Sequence, residues 1–473
     1  MPHGVIIATI MDALLDSVLP KIPQRIHATL TEHHVPGAAV AIVRDQNLAW
    51  AEGFGLADIA SKRAMTPDTL FGVASISKTF TGAAIVQLRD EGRLSLDDPM
   101  AKFIPEFKAV TCHFGHIEDV TFRRVLTHLS GLVGESSTAH WRTATFPTMD
   151  EILTGLSKSA LVIEAHSAFK YSNLGFALLG EVVARVSGRP FTEYLRREIL
   201  DPLGMMSSCF TLEDAGSRMA TGYLLHPYDD VPEAAPATTD HRGYVAAAGL
   251  RSSVEDLAKW ISLQFRTKAT KREGAQVLAG KSLSEMHRVM FVERDWRTGY
   301  CLAWWALRIG ENIYHEHGGS NPGFLSSLAF DKQRKLGVVA LTNAQGHAAG
   351  ATIAFQTLEM LAQKADELGK LVPLPEPIPT PQHLKPLLGR YEERNFGGLF
   401  HVEFRAGELM LIIPPNPIWP VPPPPTRLLA TDRELVFTME TGRGAGEPMT
   451  FARSQDGSIT ELRFIEMIYR KAS

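Results

Sequence analysis

Cysteine is scarce: Cys112, Cys209 and Cys301 are the three in 473 residues, far apart and with no C-x-x-C pair. That excludes a disulfide framework and a thiolate zinc site, and leaves three reduced thiols. An excess of one charge is also lacking. Lys and Arg number 48 against 52 Asp and Glu, for a net charge of −4, with no long run of either sign. The basic footprint that nucleic acid or an anionic membrane requires is therefore missing, and polyanionic partners are not expected. The apolar stretch near the start, Gly4 to Met11, is closed by Asp12, far short of the ~20 residues that span a bilayer. It has neither the basic residues before it nor the small-residue cleavage site after it that mark a secretory signal. The expectation is a cytoplasmic protein that engages no membrane. Also absent are a G-x-S-x-G elbow, a G-x-x-x-x-G-K-[ST] loop and a G-x-G-x-x-G fingerprint, which sets aside an α/β-hydrolase and a nucleotide enzyme. The His113/His116 and His315/His317 pairs sit in no H-E-x-x-H frame and read as surface or substrate-facing. No metal and no cofactor is implied.

What is present is a globular composition, 45% hydrophobic and 21% charged, at about three times the ~150 residues of a typical domain. Residues 11 to 34 carry apolar positions at helical spacing, interrupted by Pro20 and Pro23, and predict a kinked opening helix. Ala38 to Val43 and Leu48 to Ala51, joined by the polar Arg44 to Asn47, predict a β-hairpin. From about 70 to 270 the pattern is helical, with one helix over Ser75 to Glu91 and another over Leu174 to Val186. Strand signals return at Tyr314, Phe324 to Phe330 and Leu336 to Thr342, before a long helix over Ala349 to Leu368. Strands on both sides of a helical insert can share one sheet, so residues 1–370 are expected to form an α+β domain. Alternating prolines from Pro373 to Pro381 predict an extended linker over 371–382. Period-two segments beyond it predict a small all-β barrel over 383–473, with a rigid proline-rich loop at Pro414 to Pro425.

Three segments carry chemistry. Ser75 and Lys78 stand three apart at a helix start, so both side chains share a face and a hydroxyl meets an amine. Lysine can deprotonate serine where burial or positive neighbours lower its pKa, and the helix N-terminus favours an oxyanion. A second S-x-x-K, Ser167 to Lys170, runs straight into Tyr171-Ser172-Asn173 and reads as the approach to a Y-x-N element. The Tyr171 hydroxyl can relay a proton, and the Asn173 amide can orient the lysine and bind a substrate carbonyl. His317-Gly318-Gly319-Ser320 precedes a turn at Asn321 to Gly323. The glycines permit close backbone approach to a ligand, an edge strand there would aim the Ser320 N–H at a substrate oxygen opposite the Ser75 N–H, and His317 would donate a hydrogen bond.

The order Ser75-x-x-Lys78, Tyr171-x-Asn173, His317-x-Gly319 resembles the serine β-lactamase and penicillin-binding-protein superfamily, on its class C, family VIII esterase and D-aminopeptidase side. Supporting segments are Leu88 to Leu94, Leu126 to Leu132 and Gly249 to Ser253. The resemblance implies a transpeptidase-like catalytic domain with a lipocalin-like barrel behind it. It also implies an acyl-enzyme on Ser75 with Lys78 and Tyr171 as proton carriers, and Asn173, His317, Gly319 and Ser320 as substrate and oxyanion contacts. The family's K-T-G element usually opens with lysine; here His317 replaces it and would hold a substrate carboxylate less firmly. A hydrolase of small esters or amides is therefore expected. A D-stereospecific peptidase or peptide cyclase, and a non-catalytic penicillin-binding-type sensor, stay open as alternatives, as does a homo-oligomer. Specificity is expected from a rim loop between Leu225 and Val245.

Overall fold

The run Gly37–Arg44 (β1) is apolar at almost every position because both of its faces are covered. Ala39, Ala41 and Val43 enter one core, and Ala38, Val40 and Ile42 another. Such continuous burial marks a central strand with a layer on each side. In this computed structural model the described residues are 14–138, 145–226, 229–236, 240–267, 274–369, 379–393, 398–405, 407–415, 422–442, 444–464 and 467–472. The apolar stretch Gly4 to Met11, most of the proline-rich spacer and Trp419 within its loop lie outside them.

The chain forms two units, Met1–Leu371 and Val372–Ser473. In the first, Pro20 and Pro23 break the opening helix as anticipated: a 3-10 turn at Leu19–Lys21 leads into α1 (Ile22–Glu32), with a proline in the first turn of each segment, where the missing N–H costs nothing. β1 and β2 (Asn47–Asp58) form the hairpin and β3 (Arg63–Ala64) follows. The helical insert comes next. The chain returns with β4 (Phe291–Val292), β5 (Thr298–Tyr300), β6 (Trp305–Ile309), β7 (Asn312–Asn321), β8 (Phe324–Asp331) and β9 (Leu336–Thr342), completing a sheet of order β4-β5-β6-β7-β8-β9-β1-β2-β3. The last helix of the unit, over Ala349–Gly369, packs with α1 on one face. The insert covers the other. Its central helix, Ser77–Asp90, is buried from Ser77 through Leu88, as a helix enclosed on all sides must be.

The anticipated Ser75–Glu91 helix is thus divided, with Ala74–Ile76 a 3-10 turn ahead of the α-helix. The segment Leu225 to Val245 also departs from a plain loop: Tyr223–His226 and Asp229–Ala234 pair antiparallel, and Ala344–Gln345 joins them in parallel. In the second unit, eight strands from Gly389–Glu392 to Met467–Lys471 pair in order, and the last closes on the first through Tyr391 and Lys471. Tyr391, Val402, Leu411, Met449, Phe451 and Leu462 fill the interior, as expected for a barrel of this strand number. The α+β domain and the small β-barrel expected from the sequence are both borne out. No helix among the described residues is long and apolar enough to cross a membrane.

Candidate active site

The turn that carries Ser75 is fixed from several directions. Phe71–Gly72 pairs with Arg251–Ser252, and the Val73 N–H donates to the Leu250 carbonyl at 3.1 Å. The Ser77 hydroxyl donates to the Ala74 carbonyl at 2.6 Å and accepts from the Leu250 N–H at 3.0 Å. These bonds hold Ala74 at φ +49°, left-handed for a residue with a side chain. That strain costs on the order of 1–3 kcal/mol and persists only where the surroundings over-determine it. Ser75, the next residue, is half-buried and is the second of the helical turn, where backbone N–H groups have no intrahelical acceptor.

One turn on, Lys78 is fully buried. Its ammonium donates to Ser75 Oγ at 3.0 Å and to the Ala247 carbonyl at 2.8 Å. The rings of Tyr171 and Phe176 lie 5.0 and 5.6 Å from its nitrogen. Burial removes solvation from the charged form and pushes the lysine down to about 7, with the Glu135 carboxylate acting against it. A lysine so placed is substantially neutral near neutral pH and can take a proton from the hydroxyl it touches.

Tyr171 is raised by burial, with a Ser75 hydrogen bond pulling the other way, so it remains a phenol able to give and accept a proton. The His128 ring stacks on it at 4.2 Å, and His128 Nδ1 accepts from the Ser172 N–H at 3.1 Å. The Lys170 N–H donates to the His128 carbonyl at 2.8 Å. The segment Leu126 to Leu132 thereby clamps the loop that presents Tyr171. Gly131 belongs to the same clamp: at φ +74° it passes so near Ile163 that a Cβ would stand 2.1 Å from that carbonyl oxygen. Ser172 caps the next helix, Asn173–Ser187, by accepting from the Gly175 N–H at 2.9 Å. Asn173 departs from the expected role. Its amide donates to Glu135 Oε1 at 2.5 Å, and among the described residues its link to Lys78 runs through that carboxylate. Ser167 bonds the Glu164 carbonyl, so the second S-x-x-K forms no pair like that of Ser75 and Lys78.

The His317 segment is not a separate glycine turn; it continues β7. β6 pairs with β7 only as far as Glu316, opposite Trp305, while β8 pairs on to Asn321. His317 to Asn321 thus form a local free edge within an interior strand. Gly319 admits protein rather than ligand: a Cβ there would lie 2.2 Å from the Val73 carbonyl oxygen, so its bareness lets the strand abut the Ser75 turn. Gly318 has room, with Ser326 O the nearest atom to such a Cβ at 3.5 Å. His317 is buried and lowered to about 3 by desolvation and by Lys78. Its Nδ1 lies 2.6 Å from the Gly318 carbonyl, so Nδ1 carries the proton and Nε2 is left an acceptor. In this arrangement Nε2 carries no proton for the donation expected of His317.

Ser75, Tyr171, His317, Gly319 and Ser320 line one cavity of about 500 Å³, together with Phe169, Trp305 and Glu316. Lys78 reaches it through Ser75, and Asn173 is not among its lining residues. None of the described residues of the Leu225–Val245 segment lines it. Glu135, His128 and Glu316 were not legible as site residues. Glu135 is distinguished by its folded contacts, the bond from Asn173 and its charge beside Lys78.

A sequence model of the family described as Beta-lactamase matches residues 20–359. Protein flp of Staphylococcus aureus (strain COL) is 27% identical over 324 residues, which are 67% of this chain and 62% of that protein. The match thus spans less than two thirds of that relative's length. Among solved structures, the octameric penicillin-binding protein homologue from Pyrococcus abyssi is similar over 96% of this chain and 100% of its own, with a TM-score of 0.63 and 25% identity. A class C beta-lactamase from Rhodobacter sphaeroides is similar over 75% of this chain and 99% of its own, with a TM-score of 0.58 and 21% identity.

Proposed function

The chain belongs to the beta-lactamase family, and from that premise we propose that it is a serine hydrolase which acylates Ser75 and releases the acyl group to water. The observation that carries this is the 3.0 Å contact between the Ser75 hydroxyl and a fully buried Lys78 beside an open cavity. In the proposed sequence neutral Lys78 takes the Ser75 proton, and Oγ attacks the acyl carbon. The Ser75 and Ser320 N–H groups receive the developing oxyanion. Tyr171 passes the proton to the leaving group as the bond to it breaks. Water then attacks the acyl-enzyme, its proton returns along the same path, and Ser75 is regenerated.

Small neutral esters and amides are the substrates best supported. A substrate carboxylate would find a neutral His317 and the Glu316 carboxylate in the cavity, and neither attracts an anion. Hydrolysis of p-nitrophenyl acetate by wild type and Ser75→Ala tests the reading: wild type turns over, and the variant falls to the uncatalysed rate. Equal turnover by both would overturn it, and labelling of wild-type Ser75 without turnover would favour a non-catalytic sensor.

A further inference from the structure

Glu316 has no part in the acyl transfer above, yet it lines the same cavity as Ser75. It stands opposite Trp305 across the β6–β7 pairing, and directly opposed residues put their side chains on one face. Burial pushes its carboxyl up to about 7, and among the described residues no cation or donor opposes that. A carboxylate kept without a partner is costly, unless a ligand brings the cation. The cavity's two histidines, His317 and His347, are held down by burial to about 3 and 4, so Glu316 is the acidic group of the lining, with Lys78 reaching the cavity only through Ser75. Trp305 and Phe169 flank it in the lining, their rings edge to face at 5.7 Å; aromatic faces attract cations, quaternary ammonium above all.

The position relative to the chemistry follows from the strand. Ser320, proposed for the oxyanion, is four residues further along β7, or roughly 13 Å of backbone. The Glu316 charge acts on Tyr171, the group proposed to protonate the leaving group. We propose that the cavity selects esters and amides whose leaving group carries a positive charge, with the Glu316 carboxylate holding the cation and Trp305 and Phe169 enclosing its apolar shell. This rests on the serine-hydrolase reading and adds a substrate class to it.

Butyrylcholine and 3,3-dimethylbutyl butyrate have the same shape and differ in a quaternary nitrogen against a carbon, so the ratio of their kcat/KM values reads charge recognition. The full-length wild type should favour the cationic ester about tenfold or more, and in Glu316→Gln the ratio should fall towards one. A wild-type ratio near one, or a ratio unchanged in Glu316→Gln, overturns the cation site while leaving the hydrolase reading intact. Calorimetric titration with choline reads the same site without turnover. Choline binding to wild type and not to Glu316→Gln, with neither ester cleaved, would overturn the hydrolase reading and uphold the cation site.

Discussion

Asn173 and Glu135 are joined at 2.5 Å, amide to carboxylate, and the Glu135 charge acts on Lys78. The family-like asparagine therefore holds a half-buried anion in place, and that anion raises the lysine against the lowering effect of burial. The balance sets the pH at which Lys78 becomes a base. With a neutral ester and in Glu316→Gln, which removes the cavity carboxyl that also titrates at about 7, kcat/KM should rise with pH through an inflection at about 7, where Lys78 loses its proton. His317, at about 3, should add no limb between pH 5 and 9. In Glu135→Gln the ammonium form loses its stabilising charge, so the lysine pKa falls and the limb moves to lower pH. A limb that stays in place, or moves upward, would contradict the coupling.

Lys78→Ala and Tyr171→Phe should each lower kcat by about 10² to 10⁴, the range for losing general acid–base assistance, with smaller changes in KM. Their effects should be less than additive in the double variant, because both groups serve one proton path. Full activity in Lys78→Ala would refute its assignment as the base.

The close approach of β7 to the Ser75 turn predicts a contrast between adjacent glycines. Gly319→Ala drives a Cβ into the Val73 carbonyl, which should cost about 1–3 kcal/mol of stability as overpacking does, and should lower activity as the turn shifts. Gly318→Ala meets nothing closer than 3.5 Å and should leave the melting temperature nearly unchanged. Equal thermal shifts in the two variants would count against this packing.

Charge in the cavity predicts substrate preference. With His317 neutral and Glu316 present, kcat/KM for short p-nitrophenyl esters should exceed that for nitrocefin, which carries a carboxylate. The reverse order would show that this cavity accommodates an anion after all.

Fold class was readable because periodicity survives folding. The runs Ala38 to Val43 and Leu336 to Thr342 become buried central strands, and the alternation around Val402 and Leu411 becomes barrel interior. Ser75, Lys78 and Tyr171, named from spacing and resemblance, are brought together by the fold. What escaped was long-range. Sequence spacing cannot show that Gly319 faces Val73, that Asn173 reaches Glu135 instead of Lys78, or that His317 spends its proton on the Gly318 carbonyl. The hairpin of Tyr223–His226 and Asp229–Ala234 leaves no sequence signal because this stretch, rich in Pro, Asp and Ala, lacks period-two alternation. The α-helix starts at Ser77 and not at Ser75, since the positive φ of Ala74, which composition does not mark, puts a 3-10 turn first.

An acyl-enzyme on Ser75 is the intermediate on which the proposed hydrolysis depends. Wild-type protein mixed with p-nitrophenyl acetate, quenched in acid within the first turnovers and mapped by peptide mass spectrometry, should carry one acetyl group on Ser75 that disappears as substrate is exhausted. Tyr171→Phe should carry it longer, and Ser75→Ala not at all. Turnover of the ester with no acetyl on Ser75 at any time, or with the label on another residue, would contradict the account.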